Sequence, residues 1–74
     1  MNRRIRIGSI TYAQKGRRAL LASGIRARIV KLDSGDSAHG CVYGIELPED
    51  KMLDAVGELR RLGIDYRFVD HDLF

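Results

Sequence analysis

Cys41 is the one cysteine among 74 residues. A lone thiol forms no internal disulfide and has too few soft partners to build a zinc site. It is either a small buried hydrophobe or a reactive sulfur. Long apolar runs are missing as well: nothing approaches the roughly 20 residues that span a bilayer. The Arg-rich start lacks the apolar stretch and cleavage site of a signal peptide. The chain therefore reads as cytoplasmic, where thiols stay reduced, with no membrane as partner. Acid is absent from residues 1–32, which carry nine basic side chains, whereas residues 33–74 carry four bases and all ten acids. Most of this charge is expected to be solvated surface, and the two halves should attract each other. Ten of the thirteen bases are Arg, whose planar fork suits carboxylate and phosphate better than the point charge of Lys.

At this length the chain is one domain, residues 1–74, with a single thin core and no room for a deep, walled pocket. Function is expected on a surface, a loop or an assembly interface.

The chain also repeats itself. Gly24-Ile25-Arg26-Ala27-Arg28-Ile29-Val30 matches Gly63-Ile64-Asp65-Tyr66-Arg67-Phe68-Val69 at an offset of 39, each following a helix-like segment. The same offset carries Ile5–Ile10 onto 44–49, an overlapping alternating run. Thr11, with Gln14 three residues on, offers a capping box for a helix over 12–23 that buries Ala13, Ala19 and Leu20 and stops at Gly24. Gly16 should weaken that helix by about 1 kcal/mol relative to Ala. Pro48 at a first helical position, followed by Glu49 and Asp50, opens a second helix. Met52, Ala55, Val56, Leu59 and Leu62 line one face of it, and Gly63 ends it.

Alternation gives four strands whose apolar sets (Ile5 and Ile7; Ile25, Ala27 and Ile29; Tyr43, Ile45 and Leu47; Ile64, Tyr66 and Phe68) face the helices. The order βαββαβ predicts an α+β domain, the ferredoxin-like split βαβ: a four-stranded antiparallel sheet with both helices on one face. Arg4, Arg6, Arg26, Arg28 and Arg67 then project from the open face, with Glu46, Asp65, Val42 and Val69 among them. RNA-binding sheets stack bases on exposed aromatics, and Tyr43, Tyr66 and Phe68 here have core parity. Nucleic acid is accordingly not an expected partner, and a homo-oligomer formed through this face ranks above it.

Asp33–Gly40 is the polar loop between the second and third strands. Cys41 follows it at the start of a strand, with inward parity but beside that loop. Gly40 lets the backbone approach closely, and His39 with the basic half favours thiolate over thiol. No second catalytic set emerges. Ser34, Asp36, Ser37 and His39 crowd one loop without triad geometry, no phosphate-binding fingerprint is present, and His71 with Asp70 and Asp72 reads as a solvated tail. No metal or other cofactor is called for.

Thr11-Tyr12-Ala13, Lys15, Leu20-Leu21, Gly24-Ile25, Val30-Lys31 and above all Gly40-Cys41-Val42-Tyr43-Gly44-Ile45 make the chain, from Ile5 to Tyr66, resemble the selenium/sulfur carrier protein-like family of small domains. The Gly-Cys-x-Tyr-Gly-Ile run is the most specific element. Val42 stands where the family often has glycine, and the Cys-Pro motif of established small sulfur carriers is missing. The resemblance implies a carrier of persulfide sulfur or selenium on Cys41. His39, Gly40, Tyr43 and Gly44 would surround the bound group, Arg26 and Arg28 would add positive charge, and a cysteine desulfurase or other sulfur-transfer protein would be the partner. The alternative is a small ligand-sensing or protein-interaction domain that dimerises through its sheet, with Cys41 structural.

Overall fold

The computed structural model describes residues 1–32 and 42–69. The elements are β1 (Asn2–Gly8), α1 (Ile10–Ala22), β2 (Arg28–Leu32), β3 (Val42–Pro48), a 3₁₀ turn (Glu49–Lys51), α2 (Met52–Arg61) and β4 (Arg67–Phe68). The strands form one sheet in the order β2-β3-β1-β4, and every neighbouring pair is antiparallel. This is the expected ferredoxin-like arrangement, with each βαβ unit split by a strand of the other. His39, Gly40 and Cys41 lie outside the described residues, as do Asp70, His71 and Asp72.

The period-2 pattern decides which sheet face is covered. Ile5, Ile45 and Leu47 point to the helix side and are wholly or almost wholly buried against Leu20 of α1 and Ala55 and Leu59 of α2. Each large side chain removed from water in this way contributes about 1.5–3 kcal/mol. Five of them (Ile5, Leu20, Ile45, Leu47 and Leu59) carry most of a core this small.

Both helices end alike, which explains the repeat. In α1 the Ile25 amide donates to the Leu20 carbonyl at 2.9 Å and the Gly24 amide to Leu21 at 3.0 Å; in α2 Ile64 donates to Leu59 at 2.9 Å and Gly63 to Arg60 at 3.1 Å. Gly24 and Gly63 have φ of +81° and +72°, the left-handed turn that glycine adopts without strain. The isoleucine after each glycine joins the same buried core as the leucine that accepts its hydrogen bond, so the Gly-Ile pair stops the helix and returns the chain to the core. Ile25 and Ala27 consequently precede β2, and Ile64 and Tyr66 precede β4, whereas alternation had placed all four in strands.

Three further expectations change. Ser9, rather than Thr11, caps α1: its Oγ accepts from the Thr11 amide at 3.1 Å and the Tyr12 amide at 3.5 Å, so the helix starts at Ile10. Pro48 ends β3 with extended backbone (φ −62°, ψ 140°), and a 3₁₀ turn separates it from α2. Phe68 stands opposite Ile5 in register, yet it is 54% exposed. β4 is a two-residue edge strand that the helices do not cover. Phe68 instead meets Tyr66 edge to face, with ring centres 5.7 Å apart.

Two glycines set the spacing between layers. A Cβ on Gly16 would lie 2.9 Å from Leu59 Cδ2 and 3.1 Å from Ile45 Cδ1, so its cost in helix propensity is offset by letting α1 sit close to both α2 and the sheet. A Cβ on Gly44 would lie 2.5 Å from the Ile5 carbonyl oxygen and 2.8 Å from Leu32 Cδ1. Gly57, on the exposed side of α2, has nothing within 4 Å of such a position. Gly44→Ala is therefore expected to destabilise the fold by about 3 kcal/mol, because one clash is with backbone. Gly57→Ala should stabilise it by about 0.5–1 kcal/mol. Denaturant melts of the two variants check both signs, and a neutral Gly44→Ala would refute the close strand approach.

Candidate functional site

The helices leave the other sheet face open, and the same alternation that builds the core assigns its residues. Arg28, Glu46 and Arg4 form one rung across β2, β3 and β1. Val30, Gly44, Arg6 and Arg67 form the next, across all four strands. Leu32 and Val42 begin a third.

Glu46 is the acid of the first rung. Its Oε1 accepts from Arg28 Nε at 2.8 Å and its Oε2 from Arg4 Nε at 3.3 Å, so each oxygen has its own guanidinium. The carboxylate keeps only 13% of its side-chain area exposed, against 44% for Arg4 and 70% for Arg28. The hydrogen bond from Arg4 is the largest influence holding the Glu46 carboxyl below its ordinary pKa. Partial burial opposes it, and the hydrogen bond and charge of Arg28 reinforce it.

The second rung is built around Gly44. With no side chain there, β3 approaches β1 closely, and Leu32 leans across from the diagonal position beside half-buried Val30 and Val42. Past that rung β1 carries an extra residue, Ile7, between the Arg6–Gly44 and Gly8–Tyr43 pairs. Such a bulge sharpens the local twist. Gly8, with φ of +103°, completes it.

The expected site residues divide as follows. Gly44 is explained by strand packing, so part of the Gly-Cys-x-Tyr-Gly-Ile run serves the sheet itself. Tyr43 lies on the helix side, half-buried, opposite Lys31 and Gly8. Arg28 is engaged by Glu46, and exposed Arg26 lines a shallow concavity with Asn2, Arg28, Glu46 and Pro48. Alternation places Val42 on this face, as found; the sharing of Glu46 between two strands and the extension of Val42 into an apolar strip with Val30 and Leu32 are additions of the structure, although the parity of Arg28 extends to both Val30 and Leu32. Among the described residues no three His, Cys, Asp or Glu side chains cluster to hold a metal, and no helix is long and apolar enough to cross a membrane.

Because the folded-state pKa of Glu46 is depressed, its ion pairs stabilise the protein above the ordinary carboxylate range. That contribution is lost as pH falls through the depressed value. Glu46→Gln should lower the denaturation midpoint at neutral pH, and the gap from the parent should shrink on acidification. A gap that stays constant or widens in acid would contradict the assigned ion pairs.

In comparisons with known proteins, no family model, curated protein or solved structure matches this chain.

Proposed function

We propose that this chain is a thiol-dependent carrier or partner module in sulfur transfer, with Cys41 bearing the sulfur and the open sheet face docking a partner that presents carboxylates. The observation that supports the reading most is the composition of that face: Arg4, Arg6, Arg28 and Arg67 on adjacent rungs, with Glu46 already held by two of them. A surface whose acid is engaged internally is left net positive, suited to an acidic partner. β3 runs through the middle of this face and begins at Val42, directly after Cys41. The sequence resemblance around Cys41 supports the same assignment.

The chemistry asked of the thiol is modest. The Cys41 thiolate attacks the outer sulfur of a desulfurase persulfide and a new S–S bond forms. The donor S–S bond breaks, and the donor cysteine leaves as thiolate. No net oxidant is consumed. Incubation with a cysteine desulfurase and cysteine should add the mass of one sulfur atom to the intact protein. The adduct should vanish with reductant and fail to form in Cys41→Ser. A thiol that alkylates only after denaturation would mark Cys41 as a structural hydrophobe and sink the carrier reading.

A sheet-to-sheet homodimer is the second reading, favoured by the apolar strip of Val30, Leu32 and Val42. Self-pairing would also bring two arginine-rich faces together, which raises its dependence on salt. Association by light scattering that strengthens as salt is added would support this dimer. A monomer at all salt concentrations would remove it.

A further inference from the structure

Arg6 of β1 and Arg67 of β4 stand directly opposite each other in antiparallel register. Like charges at such a position destabilise a strand pair, and β4 has only one other rung, Ile5 with Phe68. The placement therefore works against the weakest strand of the sheet. Arg4 and Arg28 share the Glu46 carboxylate, but among the described residues neither Arg6 nor Arg67 makes an ion pair. Asp65 lines the same concavity without bridging either one.

Arg6 and Arg67 border an open cavity of about 930 Å³ together with Ile7, Gly8, Asp65 and Tyr66. The β1 bulge at Ile7 and the left-handed turn at Gly8 shape one side of it. Tyr66 is held edge to face against Phe68. Two forked cations on adjacent strands, with no ion pair among the described residues, make a recognisable combination. They match an anion carrying nearly two charges and several acceptor oxygens.

We propose that Arg6 and Arg67 form a clamp for the phosphate group of a phosphate monoester. A phosphate monoester carries about −1.5 to −2 charges at neutral pH and offers three acceptor oxygens, enough to engage both Arg forks. A monocarboxylate would neutralise only one. Asp65 repels the ligand and sets an upper limit on affinity. The site does not depend on the thiol, so Cys41→Ser binds as the parent does.

The test is an amide NMR titration of the full chain with phenyl phosphate, inorganic phosphate and benzoate. Saturable shifts should concentrate at residues 6–8 and 65–67, with both phosphates bound more tightly than benzoate. Arg67→Gln should weaken phenyl phosphate by about tenfold or more, as expected for loss of a charge-assisted hydrogen bond. It should also hold or raise the denaturation midpoint, because the opposed charges are gone. Arg6→Gln provides the same readout from the other strand should Arg67→Gln loosen β4, and Asp65→Asn should tighten binding. Shifts that do not saturate, equal shifts at Arg4, Arg26 and Arg28, or unchanged affinity in both Arg variants would overturn the proposal. So would a single-stranded oligonucleotide that displaces phenyl phosphate while engaging Arg26 and Arg28 equally, since that would reassign the arginines to backbone phosphates.

Discussion

Ile45 lies wholly buried at the middle of β3, with Ile5 opposite it on β1 and Ile29 on β2. Its Cδ1 comes so close to Gly16 of α1 that a methyl there would sit 3.1 Å away, and the preceding residue on β3, Gly44, lets that strand press against the Ile5 carbonyl. Helix packing and strand packing therefore converge on one short stretch. Both helices, the central strand pair and the open face take their positions from it. Interiors packed this densely tolerate little added volume, which is why two glycines occupy positions where propensity alone would favour other residues.

The open face inherits its chemistry from that geometry. Because β3 is central, Glu46 has a strand on each side and takes one arginine from each. Arg6 has only Gly44 and Arg67 across from it, so its charge finds no carboxylate in register. One face thus carries an ion-paired row, net +1, and a row without a carboxylate, a rung apart. The difference comes from which strand each residue occupies, not from the number of arginines.

The two proposals rest on different residues. The carrier reading depends on Cys41 and on what docks near it, whereas the oxyanion clamp depends on the pairing of β1 with β4. A chain of this size has little interior in which to build a pocket. Its recognition chemistry falls on strand rungs and on the ends of the sheet, where alternation exposes every second side chain.

Periodicity and turn chemistry in the sequence determined the element order, the helix-side core and the two Gly-Ile stops, since those signals are local: an apolar stripe, a left-handed glycine, an alternating strand. They also assigned Arg4, Arg6, Arg28, Arg67 and Glu46 to one face, because parity survives any choice of register. Local signals were weaker where two residues compete for one role, as Ser9 and Thr11 do for the cap of α1. They were weaker again where exposure depends on what lies overhead, as it does for Phe68 on a strand that the helices leave bare. Register was the decision of the tertiary structure alone. Which arginine meets Glu46, which meets another arginine, and which glycine must have no side chain are properties of strands and helices distant in the chain, and no window of sequence contains both partners.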